Sequence, residues 1–213
     1  MCTKFSANTS LNDLWTSLAI PFHNLAAMSI NYHVMPGERT PVIHKGEKEL
    51  EVTFMKWGLI PHLHSLDNKI RFMTAEIETI KQVSFFHNLF EQKRCLIPIS
   101  GFYEMDHKTV PQEPYYFYLP YHELFTVAGI WNSSSINGKI IHTFSILTKK
   151  SDANVGCVNN RMPVIITPAN HQQWLENSDF NLSNIHYAPP LYFYNVSHEI
   201  SHNVQNAKKQ ISI

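Results

Sequence analysis

The sequence predicts an α+β fold, or a mainly-β one, built as a single domain around a curved sheet. Three observations point there. Strand-like runs dominate the chain between residues 94 and 167, and helix-like segments are few and well separated. Composition is even along all 213 residues, with no repeat, low-complexity tract or linker. At 24.7 kDa the chain has the length of one ordinary domain, or at most two small ones, and can bury a sizeable core.

The elements follow in order. SLNDLWTSL (10–18) predicts a helix: Ser10 is a fair N-cap, Asp13 completes a box-like S-x-x-D, and Leu11, Leu14, Trp15 and Leu18 share one face. ELEVTFMKWGLIP (49–61) alternates in its first half and stops at Gly58 and Pro61, as a strand does on entering a loop. Glu78 to Glu91 is expected to be helical, with Ile80, Val83, Phe86, Leu89 and Phe90 near the helical period. Strand-like runs come next: RCLIPI (94–99), GFYEM (101–105), PYYFYL (114–119), LFTVAGIW (124–131), KIIHTFSILT (139–148) and MPVIIT (162–167). Thr167 with Pro168 at the first helical position starts a helix through ANHQQWLEN. The tail from Tyr192 reads as a last strand followed by loop.

Composition excludes several classes. Hydrophobic residues make up 44% and charged residues 16%, which is not the balance of a disordered chain. Lys+Arg and Asp+Glu are both 17, so a nucleic-acid partner would have to be held by a local patch and weakly at moderate salt. Cys2, Cys95 and Cys157 are widely spaced and odd in number, so neither a disulfide framework nor a zinc site is suggested, and a reducing cytoplasm is the expected compartment. The apolar stretch LWTSLAIPFHNLAAMSI lacks a basic leader, and no run has the length of a membrane span. The thirteen histidines are scattered, and His62 and His64 form the only close pair, without a partner at metal spacing; no metal and no cofactor are expected.

Four places carry candidate chemistry. Removal of Met1 would leave Cys2 with an α-amine and a thiol on adjacent carbons, with unperturbed pKa values of about 7.7–8.0 and about 8.5. Such a 1,2-aminothiol condenses with an aldehyde to an imine and then a thiazolidine, or serves as an N-terminal hydrolase nucleophile; an incidental cysteine near a terminus is as good a reading of position alone. Glu104 ends the apolar run LIPISGFYE, where burial against aromatics would raise its pKa and suit it to proton transfer; a solvent-facing glutamate is the commoner case. Trp57, in WGLIP (57–61), either stacks on bases or packs in the core. Arg161, in NNRMPVII (159–166), is either a phosphate ligand or half of a structural salt bridge.

Taken together the motifs resemble the SOS response-associated peptidase family, also called abasic site processing proteins. They run in order over most of the chain: MC at 1–2, Pro36 before PVI (41–43), WGLIP at 57–61, A-x-x-E-T at 75–79, RCLIPISGFYE at 94–104, AGIW at 128–131, ILT at 146–148 and RMPVII at 161–166. The resemblance implies a single compact domain with a curved, barrel-like, mainly antiparallel β core and a few peripheral helices. It also implies a groove for single-stranded DNA. In the family the cysteine at position two, exposed by loss of Met1, attacks the ring-opened aldehyde of an abasic deoxyribose and forms a stable thiazolidine crosslink. The peptidase label rests on removal of the family's own N-terminal residue.

Carried over residue by residue, Cys2 matches the crosslinking nucleophile and Glu104 the proton-shuttling glutamate. Thr148 and Arg161 match residues that line the site and hold phosphate, and Trp57 matches the part that packs at kinked DNA. Lys4 stands where the family has a basic residue, and Arg71 joins it as a candidate DNA contact. Three positions depart. The family reads N-A-R-A-E-T where this chain has TAEIET, so Thr74 stands for the asparagine and Glu76 for the arginine. The family's histidine two residues before the Arg of RMP is Asn159 here. Thr74 and Asn159 can position sugar or phosphate oxygens, but neither amide nor hydroxyl exchanges protons as imidazole does. The expected protein is a divergent, slower abasic-site crosslinker, monomeric, with single-stranded DNA as partner and no membrane. An N-terminal cysteine hydrolase and a non-catalytic DNA-binding relative remain as alternatives.

Overall fold

A computed structural model describes residues 4–7, 31–47, 49–61, 71–136, 138–176, 180 and 190–197. Met1, Cys2, the helix expected over 10–18 and the histidine pair at 62 and 64 lie outside them. The strands are β1 (Lys4–Ala7), β2 (Asn31–Val34), β3 (Arg39–Lys45), β4 (Leu50–Trp57), β5 (Thr74–Glu76), β6 (Arg94–Ile99), β7 (Gly101–Asp106), β8 (Glu113–Tyr118), β9 (Phe125–Ile136), β10 (Lys139–Lys150), β11 (Arg161–Pro163), β12 (Ile165–Ile166) and β13 (Tyr192–Asn195). The helices are α1 (Ser84–Gln92), α2 (Ala153–Gly156) and α3 (His171–Glu176).

Two sheets share these strands. One is five-stranded, in the order β13-β8-β7-β1-β2. In the other, β10, β4, β3, β6 and β9 pair in turn and β9 pairs back onto β10, so five strands close into a barrel. Four of the five contacts are antiparallel; the closing one, β4 against β10, is parallel, with Thr143 opposite Lys56 and Phe144 opposite Trp57. The mainly antiparallel, barrel-like core expected above is therefore what the chain forms.

β6 is buried along its whole length on both faces, which explains why RCLIPI reads as a continuous apolar run rather than an alternation. Cys95, Ile97 and Ile99 point into one core, shared with Phe5, Trp57, Phe102, Phe117 and Phe144; Leu96 points into a second, shared with Ile43, Leu147, Phe90 and Trp174. The first core lies between the barrel and the inner face of the five-stranded sheet. The second lies under α1 and α3.

Two expected elements are split. The helix expected from Glu78 to Glu91 becomes a 3-10 turn (Ile80–Gln82) and then α1, because the β-branched Val83 between them is extended at φ −104, ψ 111. The run MPVIIT breaks at Val164, whose N–H donates to Leu147 O while its carbonyl accepts from Ala128 N. The chain thereby steps from pairing with β10 to pairing with β9, and wedges into the gap where those two strands part.

Gly101 matters to the packing between β7 and β8. A Cβ there would lie 2.4 Å from the Tyr116 ring and 2.5 Å from Phe117 O, so only glycine lets the tyrosine cross over β7. Overpacking of this kind costs roughly 1–3 kcal/mol. Gly101→Ala should lower the urea midpoint accordingly with an unchanged slope; an unaltered midpoint would mean that Tyr116 moves aside freely.

Candidate functional site

Strand alternation sets the site. In GFYE, Phe102 and Glu104 share the inner face of β7 and Tyr103 faces out, so the apolar packing of Phe102 takes Glu104 inward with it. Glu104 is 1% exposed. Burial pushes its pKa up to about 7; the positive charge and hydrogen bond of the chain's α-amino group, and then the hydrogen bond from Asn159, oppose that rise without cancelling it. The carboxyl therefore changes charge near neutral pH, as a group that both takes and gives protons must.

Asn159 sits where a buried turn brings it onto Glu104. Asp152 caps α2, accepting from the backbone N–H groups of Asn154 and Val155, and the Asn159 N–H closes back on Val155 O at 2.9 Å. The Asn159 side chain then donates from Nδ2 to Glu104 Oε2 at 2.9 Å and accepts at Oδ1 from the Arg161 N–H at 3.2 Å. Both ends of the amide are thus occupied, which fixes its orientation.

Arg161 belongs to the same network. Its guanidinium donates to both oxygens of Glu78, at 3.0 and 2.8 Å, and to Thr148 O at 2.7 Å and Thr148 Oγ1 at 3.2 Å. Lys150 N–H also donates to Glu78 Oε1, at 2.9 Å. Burial raises the Glu78 pKa, but the Arg161 guanidinium and these N–H groups outweigh it and hold the carboxyl below its ordinary range. Glu76 adds a second carboxylate 4.0 Å from Arg161 Nε. The end of β10 makes this possible. It runs between β5, parallel to it with Thr148 opposite Glu76, and β11, antiparallel with Lys150 opposite Arg161.

Of the residues singled out in the sequence, Glu104, Asn159, Arg161 and Thr148 come together. Thr148 is fully buried, so its part is to hold Arg161 rather than to meet a ligand. Lys4 is half-buried opposite Tyr103, one register position from Glu104, with Nζ 4.7 Å from the Tyr103 ring centroid. Thr74 is half-buried in β5, opposite Ile146. Arg71 is half-buried beside Gly58, and among the described residues its guanidinium has no partner. Trp57 corrects an expectation. It is fully buried against Phe5 and donates from Nε1 to Met73 O at 2.8 Å, so it braces the loop from inside and offers no stacking face. Glu78 is the residue that sequence reasoning passed over. It is the acid of A-x-x-E-T, and the nearby Lys–Arg-poor strands gave no hint that its partner lay 83 positions away. Among the described residues, no group of three or more His, Cys, Asp or Glu is placed to hold a metal, and no helix is long and apolar enough to cross a membrane.

Comparison with known proteins gives one answer. The family model described as SOS response associated peptidase (SRAP) matches residues 1–206. The abasic site processing protein YobE of Bacillus subtilis is 30% identical over 188 residues, covering 84% of each chain. A crystal structure of a protein from Bacteroides thetaiotaomicron superposes with TM-score 0.68 at 28% identity, over 77% of each chain. Another, from Bordetella bronchiseptica, gives TM-score 0.77 at 21% identity over 92% of this chain and 100% of its own, a likeness of fold.

The raised Glu104 pKa has a measurable sign. Between the ordinary value of 4.5 and about 7 the folded protein binds this proton more tightly than the unfolded chain. The stability it contributes is therefore full below pH 4.5 and is lost as pH rises through 7, by an amount on the order of 3 kcal/mol. Urea midpoints of the wild type should fall between pH 5 and 8 relative to those of Glu104→Gln; parallel curves would place the carboxyl in water.

Proposed function

This chain belongs to the SOS response associated peptidase (SRAP) family, and from that premise we propose that it processes abasic sites in single-stranded DNA by forming a covalent crosslink through Cys2. The observation that carries the reading is Glu104: a buried carboxyl titrating near pH 7, clamped by Asn159, on the strand that pairs with β1. Lys4 lies opposite Tyr103, and Cys2 is two residues before Lys4, a span of at most about 7 Å of chain. The reach needed for Cys2 to meet Glu104 is available.

The chemistry balances without a cofactor. Once Met1 is removed, the Cys2 α-amine adds to C1 of the ring-opened sugar, the aldehyde oxygen becomes a hydroxyl, and this leaves as water to give the imine. The Cys2 thiol then adds across the C=N bond, its proton passing to nitrogen, and closes the five-membered thiazolidine. Glu104 opens the sugar ring by moving its hydroxyl proton, takes a proton from the attacking amine and returns one to the departing hydroxyl. Asn159 aims that carboxyl but exchanges no proton of its own.

Charge argues for a light grip on DNA. The net charge is zero, and Arg161, the expected phosphate hand, already faces Glu78 and Glu76. Lys4 and Arg71 are the candidate cations for the backbone, so affinity should be weak at moderate salt and its salt dependence shallow, about −1.4 in log–log slope for two phosphate contacts.

The test uses protein whose free Cys2 is verified by mass spectrometry, incubated with single-stranded DNA carrying one abasic site. A heat-stable adduct is expected from the wild type and none from Cys2→Ala. Glu104→Gln should slow its formation by about 10²–10⁴-fold, the usual worth of a general acid–base group. Absence of an adduct from the processed wild type would overturn the reading. A peptide amide cleaved in a Cys2-dependent way would favour an N-terminal hydrolase instead. Asn159→His, which puts a titratable group against Glu104, should speed adduct formation or reversal; an unchanged rate would mean that position 159 only orients.

A further inference from the structure

We infer that Glu78 sets how tightly this site grips a DNA strand: it occupies the Arg161 guanidinium as an internal stand-in for a backbone phosphate, and removing its charge frees Arg161 as a further phosphate contact. This rests on the single-stranded DNA reading above and adds a residue that regulates it.

The pairing is built by strand alternation. In TAEIE (74–78), Ala75 and Ile77 point into the second core, so Glu76 and Glu78 turn together to the other side. The Ile77 N–H donates to Thr148 O at 2.9 Å and pins this segment beside the end of β10. β11 lies on the other flank of β10, with Arg161 opposite Lys150. Both carboxylates and the guanidinium therefore meet at one place on the surface, where the Arg161 side chain is 16% exposed and that of Glu78 44%.

A guanidinium recognises a phosphate through a fork of two parallel N–H groups, and both forks of Arg161 are in use. The end-on fork, Nη1 with Nη2, is filled by the two oxygens of Glu78 at 3.0 and 2.8 Å. The side-on fork, Nε with Nη2, has its Nη2 on Thr148 O at 2.7 Å, and its Nε is buried 4.0 Å from Glu76 Oε1. A carboxylate and a phosphate offer the same pair of acceptor oxygens, so Glu78 sits where a phosphate would. It also competes from within the chain. A strand must give up translational and rotational freedom to bind, and Glu78 does not. The carboxylate is itself held in place, because the Lys150 N–H donates to Oε1 at 2.9 Å.

The position is one that a phosphate of the reacting nucleotide can reach. The Arg161 N–H donates to Asn159 Oδ1, and Asn159 Nδ2 donates to Glu104 Oε2. A single amide thus separates residue 161 from the carboxyl that handles the sugar, and phosphates are bonded to that sugar on both sides. While Glu78 keeps its charge, this contact is not made.

The test is a double-substitution cycle on a lesion-free single strand, which leaves Cys2 out of play. Affinity is measured by anisotropy between about 50 and 200 mM salt for the wild type, Glu78→Gln, Arg161→Gln and the pair. Glutamine keeps the shape of Glu78 and an acceptor for the Lys150 N–H, and thermal melting checks each fold. Glu78→Gln should bind about tenfold tighter at the low end, the worth of one charge-assisted hydrogen bond. Its log–log salt slope should steepen by about 0.7, one more phosphate. Arg161→Gln should leave the wild-type slope unchanged and abolish the gain in the Glu78→Gln background. An unchanged slope in Glu78→Gln, a gain that survives loss of Arg161, or a shallower slope in Arg161→Gln alone overturns the inference. Should Glu78→Gln fail to fold, the wild type decides: its Arg161 guanidinium NMR signal should be unmoved by saturating strand, and a shift overturns the clamp. The wild-type adduct with an abasic strand scores the reaction separately. An adduct with no Glu78 effect sinks the clamp alone, and a Glu78 effect with no adduct sinks the crosslink alone.

Discussion

Closure of the barrel between β4 and β10 is the constraint on which the site depends. That contact is parallel and short, held by Phe144 opposite Trp57 and by the Gly58 N–H on Phe144 O. Gly58 makes the turn at φ +116, a conformation that few side chains accept. Beyond it β10 has left the ring, and its last residues are free to pair with β5 on one side and β11 on the other. Thr148 thus ends up between Glu78 and Arg161, segments far apart in sequence. Without the closure there is no gap for β11 to enter, and Asn159, just ahead of β11, is not delivered to Glu104.

The second consequence is electrostatic. Glu104 is carried inward by the alternation that buries Phe102, and its hydrogen bond from the side chains around it comes from the neutral amide of Asn159. Desolvation outweighs the α-amino charge and the hydrogen bonds that favour the charged form, which is why the carboxyl titrates near 7. Arg161 is close by through the other end of that amide, yet its guanidinium is turned to Glu78. Had it faced Glu104, the guanidinium would have favoured the charged carboxylate and lowered its pKa. Glu78 keeps the charge away while leaving the backbone of residue 161 to orient Asn159.

The five-stranded sheet works on both faces. Phe5, Phe102 and Phe117 close the core on which the barrel rests, and on the other side half-buried Tyr103, Tyr118 and Tyr194 gather around a buried Tyr116. Gly101 permits that arrangement, since the absence of a Cβ allows Tyr116 to lie across β7 on the face opposite Glu104.

Much of this was legible in the sequence. Continuous apolar runs announced strands buried on both faces, even composition announced one body, and the ordered motifs around RCLIPISGFYE pointed to the family and singled out Glu104, which the structure buries. Local signals of that kind survive because side-chain periodicity and turn chemistry act over a few residues. The tertiary structure alone decided the rest. Trp57 faces inward because ring closure places it opposite Phe144; Arg161 is tied to Glu78 because β10 brings positions 83 apart within hydrogen-bond reach; and MPVIIT breaks in two because two strands part exactly where it enters. Each of these depends on which strands become neighbours, a choice made by long-range packing that no short window of residues contains.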